Sequence, residues 1–117
     1  MNARVRYRVS QTSIQNIFGN TVSIHLVELQ TPTLDADEAD RKFFEGLVRQ
    51  PTIVDLSKLL AVPAVWVRML SDLTIDNLDL VLVGGEPLTR MIQLLGQGKW
   101  LRVYATVEDA VQWWRDE

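Results

Sequence analysis

The sequence has no cysteine. That absence removes disulfides, iron–sulfur clusters, thiolate zinc sites and cysteine nucleophiles together. It has one histidine, His25, so multi-histidine metal sites are excluded as well. Twelve Lys and Arg against fifteen Asp and Glu leave a net charge of −3, which offers a nucleic-acid backbone no general attraction. Long hydrophobic runs are missing too. The longest, Leu59–Val67, has nine residues with a proline inside it, far below the roughly 18 that a bilayer span requires. Met1–Ser10 interleaves Arg4, Arg6 and Arg8 with Val5, Tyr7 and Val9 and carries no apolar signal-peptide core. The expectation is a cytoplasmic protein that neither binds nucleic acid nor inserts into a membrane. What is present is ordinary for a globular domain: 117 residues, 47% apolar and 23% charged. No linker, low-complexity stretch or internal repeat interrupts the chain, so residues 1–117 read as one domain.

Two alternating segments open it. Arg4–Gln11 has the period of a half-buried strand, and Thr21–Glu28 places Val22, Ile24 and Leu26 on one face. Phe18-Gly19-Asn20 between them supplies turn residues that tolerate positive φ, which predicts an antiparallel hairpin. Ile14 and Ile17 are candidates to extend its first strand. After Thr31-Pro32-Thr33, the pair Asp35-x-x-Glu38 resembles a capping box, and Ala39, Phe43, Leu47 and Val48 follow at helical spacing. A helix is predicted over Ala36–Arg49. Thr52–Leu56 reads as a short buried strand, Pro63–Leu73 as a helix with Val67 and Leu70 inward, and Leu78–Val83 as a strand closed by Gly84-Gly85. A helix over Pro87–Leu95 stops at Gly96, Leu101–Tyr104 is the last strand, and Thr106-x-x-Asp109 opens a final helix carrying Ala110, Val111, Trp113 and Trp114. The order is β-β-α-β-α-β-α-β-α. Alternation after the hairpin predicts an α/β domain with a mixed, mostly parallel sheet and about four helices.

Catalytic patterns fail one by one. Gly84-Gly85 and Gly96-x-Gly98 lack the Gly-Lys-Ser/Thr ending of a phosphate loop. His25 lies inside a strand and no Gly-x-Ser-x-Gly elbow occurs, so no Ser–His–Asp triad is placed. The acids Asp35, Asp37, Glu38 and Asp40 crowd a helix start, where carboxylates suit the positive end of the dipole without any cation. Asp72, Asp76 and Asp79 with Asn77 lack calcium-loop spacing. A phosphorelay receiver needs an acidic pair, an acceptor Asp and a late Lys, and only Asp55 is available. The residues predict a protein that is not an enzyme and carries no metal or cofactor.

From Thr52 onward the sequence resembles a STAS domain, the module of sulfate transporters and anti-sigma factor antagonists. The resemblance rests on Ile53-Val54-Asp55-Leu56-Ser57, on the helix and strand that follow, on Pro87–Gly96 and on Tyr104–Ala110. It covers the second half of the chain, and the first half agrees in element order. In phosphorylatable members, Asp-Leu-Ser leads to Asp-Ser-Ser-Gly or a close variant at the start of the next helix, where a partner kinase modifies a hydroxyl. Counted from Asp55, this chain has Pro63-Ala64-Val65-Trp66 there. The acceptor position falls on Val65, and no Ser or Thr lies between Lys58 and Leu70. A switch that places roughly two negative charges near a helix start has no hydroxyl to act on.

The resemblance implies a regulatory module that docks a serine-kinase-type anti-sigma factor through Asp55, Ser57, Lys58, Pro63, Ala64, Val65 and Trp66. Asp55 is expected to shape the loop by hydrogen bonding. Trp66 stands where the family has Gly, on the expected outward face, and has two readings: an interface contact, or packing against a neighbouring element or the Trp113–Trp114 end. A homodimer is compatible with the sequence. Other functional classes remain open: a STAS subunit of an ABC-type lipid transporter or of a stress-sensing scaffold, and a small-ligand-binding STAS domain.

Overall fold

The computed structural model describes residues 7–30, 38–47, 50–59, 62, 64–76, 80–96 and 101–116. Five strands and four helices follow in the expected order. Strands β1 (Tyr7–Gln15) and β2 (Thr21–Leu29) form an antiparallel hairpin. Its first strand extends four residues beyond the predicted Gln11, taking in Ile14, while the predicted start at Arg4 lies outside the described residues. The extension, Thr12-Ser13-Ile14-Gln15, carries little apolar signal of its own and is held by ladder pairing to Thr21–Ile24. The turn is organised by Asn16. Its side-chain carbonyl accepts from the N–H groups of Phe18 and Asn20, both at 3.0 Å. Gly19 takes φ +80°, the left-handed conformation that glycine adopts without steric cost.

Helix α1 (Glu38–Leu47) leads to β3 (Thr52–Asp55), which pairs in parallel with β2. The predicted helix ends at Ala36 and Arg49, and its capping Asp35, lie outside the described residues. Helix α2 (Ala64–Asp76) continues three residues past the predicted Leu73, because Thr74 still belongs to its buried stripe and its hydroxyl bonds back to the Leu70 carbonyl at 2.7 Å. Strand β4 (Leu80–Val83) is parallel to β3, and β5 (Val103–Tyr104) is parallel to β4. Helix α3 (Glu86–Leu94) starts after N-cap Gly85, and Gly96 follows its end at φ +68°. Helix α4 (Val107–Arg115) is capped by Thr106, whose hydroxyl accepts from the Asp109 N–H at 3.1 Å, as the sequence pattern predicts.

The sheet order is β1-β2-β3-β4-β5. A parallel sheet that grows in one direction through right-handed crossovers carries all its crossover helices on one face. The packing follows that rule. Val27, Leu29, Val54, Leu56, Leu80 and Leu82 pack with Phe44 of α1, the apolar face of α2, and Leu88 and Ile92 of α3. The alternate strand residues Ile24, Ile53, Val81 and Val83 meet Ala110 and Trp114 of α4 on the other face. β3 and β4 are therefore covered on both sides, which explains why they read as continuous apolar runs. Among the described residues, no helix is long and apolar enough to cross a membrane.

Candidate functional site

The carboxyl ends of β3 and β4 lead into α2 and α3, so the described residues singled out by sequence lie beyond the carboxyl end of the interior strand β3. Asp55 closes β3 and is half-buried. Its carboxylate accepts the Ser57 N–H at 2.9 Å, closing a local turn of the kind that Asp forms two residues ahead of a donor. Leu56 donates to the Val83 carbonyl at 2.7 Å and accepts from Leu59 N–H at 3.1 Å. With Leu56 and Leu59 buried, Ser57 and Lys58 are turned out to solvent. The loop is thus pinned by two apolar residues and one carboxylate, and its outer side is polar and exposed.

Across the ladder, Glu28 of β2 sits opposite Asp55. Like charges at directly opposed positions repel, and the Ser57 N–H gives one of them a donor. Sequence reasoning missed this neighbour, since the two residues are far apart in the chain and no local pattern reports a parallel register.

At the start of α2, Ala64 is half-buried and Val65 is 49% exposed. The first turn of this helix holds no acid, so the positive end of its dipole meets no carboxylate of its own. Pro63 lies outside the described residues. Trp66 corrects the expectation of an outward residue: its side chain is 0% exposed. It packs edge-on against Phe44 of α1, with ring centroids 5.5 Å apart at 86°, a favourable arrangement of two aromatic quadrupoles. The neighbouring-element reading holds for α1. The Trp113–Trp114 end belongs to the opposite face of the sheet. A signal for this was present: Trp66 shares helical spacing with Leu70 and Leu73, all buried. The indole Nε1 has no hydrogen-bond partner among the described residues, so the side chain acts through volume and ring geometry.

His25, half-buried in β2, lies opposite Gln11. No described acid–nucleophile arrangement accompanies it, and the edge formed by Asp55, Ser57, Lys58 and Val65 offers contact chemistry: one exposed aliphatic side chain, a hydroxyl and a cation.

A hairpin-edged, one-directional parallel sheet with three helices on one face and a fourth on the other is the architecture of a STAS-like domain, and the chain has that fold. A solved structure of an anti-sigma factor antagonist from Mycobacterium paratuberculosis shares it, with a TM-score of 0.62 over 93% of this chain and 96% of that chain. The two sequences are 22% identical, so what they share is the fold. No protein-family model and no curated protein matches the sequence.

Proposed function

We propose that this chain is a non-catalytic regulatory module that binds a kinase-type anti-sigma factor in the cytoplasm through the edge formed by Asp55–Lys58 and the start of α2. One observation carries the reading. Val65, at the position where phosphorylatable STAS domains have a hydroxyl, is exposed on the first turn of α2 while its neighbour Trp66 anchors that turn in the core. An apolar side chain presented from a fixed helix start supports docking and gives a kinase no hydroxyl at that position. The module would then be governed by its abundance or by the state of its partner.

The test is direct titration against a kinase-type anti-sigma factor, followed by incubation with that kinase and ATP. Binding with no mass added to the 59–70 segment is expected. A phosphate within that segment sinks the constitutive reading. Failure to bind by the folded protein, together with co-purification of a transporter ATPase, transfers the module to another partner class.

A further inference from the structure

Among the described residues, β1 is the one long edge of the sheet, since the opposite edge strand β5 has two residues. Arg8–Ser13 are exposed without interruption, with Val9 the apolar residue among them at 43%. The hairpin turn fixes which backbone groups point outward. Asn16 N–H donates to the Asn20 carbonyl at 2.9 Å, and the pairing runs on in that register from Gln15↔Thr21 to Tyr7↔Leu29. Hydrogen-bonded pairs alternate in an antiparallel ladder. Even-numbered residues of β1 therefore bond to β2, and the N–H and C=O groups of Val9, Gln11, Ser13 and Gln15 face away from it. The outward row stops at Ile17, whose N–H donates to the Arg115 carbonyl at 2.9 Å.

Natural sheets blunt such edges with charge, proline, a bulge or brevity. Val9-Ser10-Gln11-Thr12-Ser13-Ile14-Gln15 has no charge and no proline, and its ladder to β2 runs without a bulge. We propose that this edge is a homodimer interface in which β1 strands of two copies pair antiparallel through residues 9–15 and join their sheets.

The choice of a second copy follows from the row itself. A neutral strand offers a charged partner strand no complement, and it suits a partner that is also neutral and β-prone, as this row is. Antiparallel pairing carries its own two-fold axis, so one surface serves both copies. Outward groups must meet outward groups, which restricts the register. The two registers that keep all of residues 9–15 paired within β1 place Gln11 opposite either the second copy's Gln11 or its Ser13. In these two registers Arg8 faces Ile14 or Asn16, never another Arg8. Pairing also covers the open flank of Val9, which lies beside the fully buried Val27 of β2. The contact leaves the start of α2 uncovered, so a dimer displays two docking edges. It does not depend on which partner those edges bind.

A strand–strand contact of this length belongs with weak interfaces, below about 1,200 Å², so association is expected in concentrated protein. Sedimentation should show dimer growing with concentration. Amide exchange should show the N–H groups of Val9, Gln11, Ser13 and Gln15 gaining protection over the same range, with Ser10, Thr12 and Ile14 protected throughout. Where the two Gln11 residues oppose, Gln11→Lys and Gln11→Glu should each weaken the dimer about fivefold, the size of a like-charge cross-strand pair. Where Gln11 opposes Ser13, the self-opposed Thr12 takes that role, so Thr12→Lys and Thr12→Glu should do the same. In either register an equimolar mixture of the two charge variants should restore the dimer. A monomer at the highest attainable concentration overturns the proposal. So does a dimer whose odd-numbered amides stay unprotected, or one that charge variants at neither Gln11 nor Thr12 weaken.

Discussion

The two faces of the sheet are built by different means. On one, three crossover helices lay down a thick layer in which Phe44, Trp66, Leu70 and Leu88 are all 1% exposed or less. On the other, α4 alone among the described residues covers the strands. Its cluster is ringed by half-buried residues, among them Ile14, Val22, Leu26, Tyr104 and Trp113. Among the described residues each face buries one tryptophan, Trp66 or Trp114, and neither indole N–H has a partner there. The surroundings differ. Both meet a ring edge-on, but the ring beside Trp66 is the buried Phe44, whereas the ring beside Trp114 is the half-buried Trp113 at 5.1 Å, with the Arg102 guanidinium over it at 4.3 Å. A face that one short helix closes at its margin uses a cation over an aromatic ring, a contact worth about 0.5–1 kcal/mol at an exposed site. The layered face does the structural work, and the proposed docking residues sit on top of it.

That contrast is tested most strongly by truncating the two tryptophans. Trp66→Ala removes a ring with no route for water to refill its place, and a loss near the upper end of about 3–5 kcal/mol is expected. Against a total stability of about 5–15 kcal/mol for a domain, such a loss leaves the protein close to unfolding at body temperature. Trp114→Ala should fall at the lower end of the same range, because its neighbours are already partly hydrated. Urea unfolding of both variants ranks them. If Trp114→Ala costs more, the single-helix face is the stronger one and the comparison is wrong.

Smaller effects separate the helix starts. A Cβ built on Gly84 would lie 2.8 Å from Leu88 Cδ2 and 3.1 Å from Leu88 Cβ, so Gly84→Ala forces buried Leu88 away from the layered core. A loss of about 1–3 kcal/mol is expected. The combination with Leu88→Ala should cost less than the sum of the single changes, since the truncation removes Cδ2, the nearer of the two atoms, and leaves only Cβ. Thr106→Ala removes the hydroxyl that accepts the Asp109 N–H, and about 1 kcal/mol should be lost. Because α4 has no helical neighbour on its face among the described residues, that loss should appear as faster amide exchange along α4 while α2 is unchanged. Equal acceleration in both helices would show that the two faces open together.

Much of this fold is legible in the sequence because strands β3 and β4, buried on both sides, leave short apolar runs, and because Gly96 and Thr106 mark helix ends with their own backbone chemistry. The far end of β1 is not legible for the opposite reason. Ser13 and Gln15 face solvent and are strand residues only through their partners on β2. Asp55 is readable as a loop organiser, since an Asp two residues before a free N–H closes a turn locally. Of the two readings open for Trp66, packing against a neighbouring element is the one found, and its spacing to Leu70 and Leu73 points the same way, against the outward face that a glycine position in a family pattern implies. Helical periodicity was the better guide there, because it reports the core of this chain and a family motif reports another's surface.

The smallest stability effect carries the most about function. Val65 is 49% exposed in the first turn of α2, and that turn holds no acid. A surface substitution there should change stability by no more than about 0.5 kcal/mol, and Val65→Asp gains from a helix dipole contribution of about 0.3–1 kcal/mol. Thermal unfolding of Val65→Asp should therefore match the parent or lie slightly above it. Binding of the proposed anti-sigma partner should fall by an order of magnitude or more, because a carboxylate would have to lose its water in an apolar contact. Val65→Ala serves as the neutral control and should weaken binding less. A marked fall in the stability of Val65→Asp would place Val65 in the layered core with Trp66 and remove the basis for docking there. Unchanged affinity with unchanged stability would leave the fold standing and move the binding surface away from α2.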